Sequence, residues 1–142
     1  MKVVFDTSLL VAAMRSKQGA SYALVSALPS VQFQICLSVA LYIEWQAVLT
    51  RTENFPPNQQ AENLLAFLRY LASIAHLQDI YYLWRPQLRD PNDDMVLELA
   101  VAAQAKYIVT HNIRDFQNLK FDVVAITPSD FLKLLRSKPW AL

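Results

Sequence analysis

Short apolar runs alternate with segments of helical periodicity along this chain. Four apolar runs predict strands, at 2–5, 33–37, 107–110 and 123–126. Helical periodicity predicts helices between and after them, at 8–14, 21–28, 39–51, 58–75, 91–105 and 128–137. Strands that alternate with helices are typical of a mainly parallel sheet covered on both faces. We therefore predict an α/β fold with three α/β/α layers.

Residues that favour helix starts support these boundaries. Ser38 is a good N-cap for the third helix, and Thr127 precedes Pro128 and Asp130 in the order expected at the start of the last one. Asp90 stands directly before a proline, and we assign it as the N-cap of the fifth helix. The polar turn after the third strand leaves two interpretations open, a capped turn or the rim of a site.

Length and hydropathy indicate one domain without a membrane span. The chain has 142 residues, and a chain of this length buries roughly 70% of its unfolded surface. The longest apolar stretches, such as "LLVAAM" and "LAVAA", are much shorter than the ~20 residues of a transmembrane helix. The start "MKVVFDTS" lacks the apolar core of a signal peptide. We expect a single cytoplasmic domain over residues 1–142.

The charge balance and the rare residue types exclude several kinds of site. A net charge of +1 gives no overall signal for nucleic-acid binding, so such a function would depend on local arrangement. The single glycine, Gly19, is too few for a glycine-rich phosphate loop. The single cysteine, Cys36, cannot form an internal disulfide, and its apolar surroundings predict a buried, inert thiol.

Acidic residues lie where predicted strands end. Asp6 follows the first strand, Asp115 lies in the polar turn after the third, and Asp94 lies in the first turn of the helix that leads into that third strand. Ligands of open parallel sheets bind beyond the carboxyl ends of the strands. A purely structural role also fits, since Asp6 could cap the first helix and Asp94 could complement a helix dipole.

Glu44 is harder to assign to a structural role. Its neighbours at helical spacing are Leu41 and Val48, so the carboxylate lies on the apolar face of its helix. A buried carboxylate without a partner is costly. Either it bends towards water, or it bonds a hydroxyl, or it binds a cation.

Taken together, these acids favour a metal site. Three or four carboxylates at one edge of a sheet would repel one another unless a divalent cation lay between them. Oxygen ligands favour Mg²⁺ or Mn²⁺ over zinc, and the chain shows no Cys/His spacing of the zinc type. We therefore predict a Mg²⁺ or Mn²⁺ site at the carboxyl edge of the sheet.

Four segments in this order resemble the PIN-domain ribonucleases, and most of all the VapC-like toxins of bacterial toxin–antitoxin pairs. The segments are "VVFDTSLLVAAM", "SVALYIEWQAVLTR", "RDPNDDMVLELAVAAQAKYIVTHNIRDF" and "ITPSDFLKLL". None is specific alone, but the ordered set is strongly specific and covers nearly the whole chain. The family's acids match Asp6, Glu44 and Asp94, and the threonine that closes its later strand matches Thr110.

Two positions depart from the family pattern. Many members have Asn two residues after the first Asp, where this chain has Ser8, which offers one hydrogen-bonding group fewer. Many members have Asp two residues after the later Thr, where this chain has Asn112. Asp115 then matches the fourth acid of members that read T-x-N-x-x-D/E-F, and Asn112 remains the alternative fourth group.

The resemblance implies hydrolysis of phosphodiester bonds in single-stranded RNA with Mg²⁺ or Mn²⁺. It also implies a homodimer and a small antitoxin protein, for which the apolar helices could supply surfaces. Three arginines near the expected site are candidate contacts for RNA phosphates, although a solvated surface position is the default role for each of them. They are Arg15, Arg51 and Arg114. His111 is expected to be an exposed turn residue rather than a substrate contact.

Other functions fit less well. The departures at Ser8 and Asn112 would allow a catalytically weak PIN-like domain that binds RNA or protein without cutting. A phosphatase of the haloacid-dehalogenase type requires Asp-x-Asp after the first strand, and this chain has Asp6, Thr7 and Ser8 there. Metal-dependent cleavage of RNA is therefore the first hypothesis, and the binding module is the alternative.

Overall fold

A computed structural model describes residues 1–51, 61–80, 91–117 and 121–137. In chain order its elements are β1 (Lys2–Phe5), α1 (Thr7–Arg15), α2 (Ala20–Ser26), β2 (Gln34–Leu37), α3 (Val39–Leu49), α4 (Ala61–Ile74), β3 (His76–Leu77), α5 (Pro91–Ala102), β4 (Tyr107–Val109), a 3₁₀ turn (Ile113–Phe116), β5 (Val124–Ile126) and α6 (Pro128–Ser137).

The five strands form one sheet in the order β3-β2-β1-β4-β5, and every neighbouring pair is parallel. Helices flank this sheet, which confirms the predicted α/β/α architecture. Because the strands run the same way, all their carboxyl ends lie at one edge. The segments that follow β1 and β4 are therefore side by side.

The core lies around the central strand. Val3, Val4 and Phe5 of β1 are fully buried, as a strand covered by helices on both faces requires. Phe33 packs edge-on against Phe131 of α6, with ring centroids 5.3 Å apart. This packing holds the last helix against the sheet near the start of β2.

The predicted helix caps are present wherever the structure describes them. Ser38 Oγ accepts a hydrogen bond from the Leu41 N–H at 3.2 Å, and Thr127 Oγ1 accepts one from the Asp130 N–H at 3.1 Å. Helix α6 begins at Pro128, as predicted. Asp90 lies outside the described residues.

The largest differences from the sequence prediction concern one strand and one helix end. Strand β3 was not predicted, because His76–Leu77 is too short to show a period. Helix α5 ends at Ala102 rather than near Ala105, and Gln104 has a left-handed backbone with φ of 57°. That conformation cannot continue an α-helix.

Cys36 is fully buried in β2. Burial raises the pKa of its thiol to about 11, against a smaller opposing effect of Lys2. The prediction of a buried thiol is confirmed. Among the described helices, none combines the length and apolarity needed to cross a membrane.

Candidate active site

The site begins where β1 and β4 end side by side. Phe5 of β1 pairs with Val109 of β4, so the next residues, Asp6 and Thr110, are neighbours. The Asp6 N–H donates to the Val109 carbonyl at 3.0 Å, which extends the ladder by one residue beyond β1. Asp6 and Thr110 are both buried. The backbone of the sheet therefore fixes their separation.

The Asp6 carboxylate accepts three hydrogen bonds. Its Oδ2 accepts from Thr110 Oγ1 at 2.7 Å and from Ser8 Oγ at 3.0 Å. Its Oδ1 accepts from the Thr7 N–H at 2.9 Å, so Asp6 also caps α1. The same side chain therefore caps a helix and is held by two hydroxyls.

Each of the two hydroxyls also receives a backbone N–H from the turn after β4. The His111 N–H donates to Ser8 Oγ at 3.2 Å, and the Asn112 N–H donates to Thr110 Oγ1 at 2.9 Å. Both hydroxyls donate their hydrogen bonds to Asp6, so each one links a backbone N–H to the carboxylate in a chain of two hydrogen bonds. Asn112 takes part through its backbone, while its side chain is exposed.

His111 makes a contact that the sequence did not predict. Its side chain is exposed, as expected for a turn residue, but its Nε2 lies 2.9 Å from Oγ of Ser21. Ser21 is 3% exposed and lies in the first turns of α2. No motif marked Ser21, because a single serine inside a helix carries no signal in a sequence.

Asp94 lies in the first turn of α5 and is 2% exposed. Helix α5 leads into the amino end of β4, so in a parallel crossover its own start lies at the carboxyl edge of the sheet. Glu98, one turn further along α5, is also buried, and sequence analysis missed it. Its spacing of four residues from Asp94 was the available signal.

Glu44 is half-buried in α3, and its Oε2 atom is shielded from solvent. The fully buried row of this helix is formed by Leu41, Trp45 and Leu49, and Glu44 flanks that row beside the half-buried Val48. The carboxylate thus lies at the border of the apolar face. Of its two oxygens, Oε2 is buried in the interior of the protein.

The remaining candidates are exposed. Asp115 lies in the 3₁₀ turn with its side chain in solvent, and Arg15, Arg51 and Arg114 are exposed as well. In the described ranges, no three or more His, Cys, Asp or Glu side chains are grouped so that they could hold a metal ion. The structure therefore brings together Asp6, Ser8 and Thr110, with the Asn112 backbone.

The chemical type of the candidate metal ligands suits a hard divalent cation. Three of the roughly four acceptor positions of the Asp6 carboxylate accept hydrogen bonds from the described residues, which do not use the remaining one. The candidate ligands are all carboxylates, and oxygen ligands suit Mg²⁺ or Mn²⁺ better than zinc. Burial of Asp6 and Asp94 strengthens the attraction of such a cation.

Residues 2–114 match the PIN domain family. No curated protein matches the chain.

Solved structures with a similar fold were also found. A chain of the structure described as "Crystal structure of VapBC2 from Rickettsia felis bound to a DNA fragment from their promoter" has a TM-score of 0.63 and 18% identity, covering 89% of this chain and 98% of that one. A chain of VapBC-1 from nontypeable Haemophilus influenzae has a TM-score of 0.63 and 18% identity, covering 91% of this chain and 99% of that one. A chain of DNA-bound VapBC from Salmonella typhimurium has a TM-score of 0.63 and 16% identity, covering 90% of this chain and 98% of that one. At these identities the likeness concerns the fold.

Proposed function

Because this chain belongs to the PIN-domain family, we propose that it is a metal-dependent endoribonuclease that hydrolyses phosphodiester bonds of single-stranded RNA. The observation that carries the proposal is the environment of Asp6, which is 7% exposed and held by two hydroxyls at the carboxyl edge of the sheet. A capping role alone requires the bond from the Thr7 N–H and neither hydroxyl.

The proposed metal ligands are Asp6, Glu44, Asp94 and Asp115, with Ser8, Thr110 and Asn112 in support. A bound Mg²⁺ or Mn²⁺ would activate water and neutralise charge on the scissile phosphate. The protein's own contribution is to hold the first carboxylate: Ser8 and Thr110 fix the plane of the Asp6 carboxylate by donating to the same oxygen. A ligand held in this way keeps its orientation without a cation.

The fourth metal ligand is either Asp115 or Asn112, and variants of the two residues distinguish them. Asp115 and Asn112 are both exposed, and both lie in the turn after β4. We expect Asp115→Asn to reduce cleavage of RNA and Asn112→Ala to reduce it much less, because the contact of Asn112 with the site uses its backbone N–H. The reverse order of effects would assign the fourth group to Asn112.

RNA would approach over the exposed arginines. Arg15 ends α1, Arg51 lies just after α3, and Arg114 lies in the 3₁₀ turn next to Asp115. Cations near an acidic site are needed because RNA phosphates and carboxylates repel. The net charge of +1 leaves this attraction to local residues.

We also propose that the protein acts as the toxin of a toxin–antitoxin pair and forms a homodimer. The solved structures of similar fold are described as VapBC assemblies. Helix α3 exposes the apolar side chains of Val39 and Ile43, which suit a protein contact. The test is copurification with the product of a small neighbouring reading frame, with the mass of the isolated protein measured by light scattering. A monomeric protein that does not bind that product would contradict the proposed homodimer and antitoxin partner.

The cleavage test compares purified wild type with Asp6→Asn on single-stranded RNA, with Mn²⁺ or with EDTA. A matched control is Asp122→Asn, because Asp122 is an exposed carboxylate just before β5, at the opposite edge of the sheet. We expect cleavage by wild type and the control with Mn²⁺, and a loss of at least tenfold in Asp6→Asn or EDTA. Cleavage that persists in EDTA would overturn the proposal.

The alternative is a PIN-like module that binds RNA or protein without cutting. Two observations favour it: Asp115 is exposed, and the described acids are not grouped around one point. The same experiment separates the two functions. A shift of RNA in a gel, with intact RNA recovered in Mn²⁺ from wild type, would support the module.

A further inference from the structure

The ring of His111 connects the turn after β4 to α2. His111 Nε2 and Ser21 Oγ are 2.9 Å apart. Ser21 is 3% exposed, so its hydroxyl is a fixed partner, and the exposed histidine is held at its ring nitrogen. The residues on either side of His111 are Thr110 and Asn112, both in the network around Asp6.

The backbone at this point supplies both hydrogen-bond chains to Asp6. The His111 N–H reaches Asp6 Oδ2 through Ser8 Oγ, and the Asn112 N–H reaches it through Thr110 Oγ1. Two successive amides of one turn therefore direct two hydroxyl protons onto the same oxygen. The position of this turn therefore determines whether both hydrogen-bond chains to Asp6 form.

Ser8 has a particular need for such direction. A serine hydroxyl has one proton and rotates freely, and Thr110 Oγ1 is a competing acceptor 3.4 Å away. Because the His111 N–H occupies an acceptor position of Ser8 Oγ, the serine proton is left to point at Asp6. The His111 amide thus fixes the direction in which the Ser8 hydroxyl donates.

We infer that His111 and Ser21 are positioning residues of the proposed nuclease: the bond between them holds the turn 111–112 where its amides orient Ser8 and Thr110 onto Asp6. This inference rests on the proposed function, since its purpose is to prepare Asp6 for a divalent cation. His111 acts through Ser8 and does not itself bind substrate or metal.

The variants are His111→Ala, Ser21→Ala and the conservative His111→Gln, whose amide can still reach the Ser21 hydroxyl. The matched control is His76→Ala. His76 is the other histidine of the chain, and its Nε2 makes a bond of the same length, 2.9 Å, to Gln78 at the edge strand β3, which β2 separates from β1. Circular dichroism checks that each variant is folded.

The first measurement is Mn²⁺ affinity by calorimetry. We expect His111→Ala and Ser21→Ala each to weaken it about tenfold, the cost typical of removing a group that orients a ligand. The double variant should be no weaker than either single one, because both break the same bond. His111→Gln should restore affinity to within about threefold, and His76→Ala should leave it unchanged. Equal affinity in His111→Ala and wild type would overturn the inference.

The second measurement needs no metal. Hydrogen exchange at the amides of residues 111 and 112 should be faster in His111→Ala and Ser21→Ala than in wild type, and unchanged in His76→Ala. Unchanged exchange in the first two variants would also overturn the inference. Wild type that neither binds Mn²⁺ nor cleaves RNA would instead overturn the proposed function. The two failures are therefore distinguished by the wild type.

Discussion

At the scale of single residues, the two oxygens of the Asp6 carboxylate make different contacts. One carboxylate oxygen caps α1 through the Thr7 N–H, and the other accepts the hydroxyls of Ser8 and Thr110. The cap could be predicted from an acid that follows a strand and precedes a helix. The hydroxyl bonds could not, because Thr110 is 104 residues away and its place depends on strand pairing.

Thr110→Val tests the hydroxyl with little change of shape. Thr110 is fully buried, and valine keeps its volume while removing the donor to Asp6 and the acceptor for the Asn112 N–H. We expect Mn²⁺ affinity or RNA cleavage to fall by about tenfold to a hundredfold, and stability to fall by about 1–3 kcal/mol. The measurements are calorimetry with Mn²⁺ and urea unfolding.

Thr50→Val is the matched control for that substitution. The hydroxyl of Thr50 bonds the Gln46 carbonyl at 2.6 Å at the end of α3, away from Asp6. It should leave Mn²⁺ affinity unchanged. Equal losses in the two variants would mean that Thr110 acts on the fold and not on the carboxylate.

Cys36 predicts a dependence on pH. Its thiol pKa rises from 9.0 to about 11 on folding, so the folded state holds this proton more tightly than the unfolded state. The stability it contributes is complete below pH 9 and is lost as pH rises towards 11. We expect no reaction with a thiol reagent at about pH 8 until urea unfolds the protein. Rapid reaction of the folded protein would contradict the burial of Cys36.

At the scale of elements, helix starts were more predictable than helix ends and short strands. Ser38 and Thr127 cap their helices as predicted, because a cap depends on a few adjacent residues. The end of α5 depends instead on the backbone of Gln104, and β3 on pairing with β2 between Cys36 and His76. The first condition is a left-handed backbone at a residue other than glycine, and the second is pairing with a distant segment, so neither is visible in the periodicity.

In helix α3, a fully buried tryptophan is adjacent to a half-buried glutamate. Trp45 is fully buried beside the half-buried Glu44, and its Nε1 atom is buried without a hydrogen-bond partner among the described residues. We expect Trp45→Ala to cost about 3–5 kcal/mol of stability. Trp45→Phe should cost clearly less, since it keeps a ring and removes a buried donor. Urea unfolding measures both.

Glu44→Gln provides the contrast within the same helix. It keeps the shape of the side chain and removes its charge. We therefore expect the rate of RNA cleavage to fall strongly while the free energy of unfolding changes little. A Trp45→Phe protein as unstable as Trp45→Ala would show that the indole N–H has a partner. Together, the three variants separate the apolar and acidic faces of α3.

At the scale of the whole molecule, the candidate site is a product of strand order. The alternation of strands and helices predicted a parallel sheet, but the order β3-β2-β1-β4-β5 comes from the pairing of segments far apart in the chain. This order sets β1 beside β4, and therefore Asp6 beside Thr110. The resemblance to PIN domains proposed the same acids without showing which ones are buried. The structure separates buried Asp6 and Asp94 from exposed Asp115.

A metal that binds across these segments should stabilise the whole fold. Mn²⁺ at a hundred times its Kd adds about 2.7 kcal/mol to the stability of a protein that binds it only when folded, which raises Tm by several degrees at this size. We expect this rise in wild type and in Asp122→Asn, and none in Asp94→Asn, because Asp94 is the buried carboxylate in the first turn of α5. Thermal unfolding with and without Mn²⁺ measures the rise. An equal rise in Asp94→Asn would place the metal elsewhere, because a cation held by Asp6 and Asp94 together must connect α5 to the central strand.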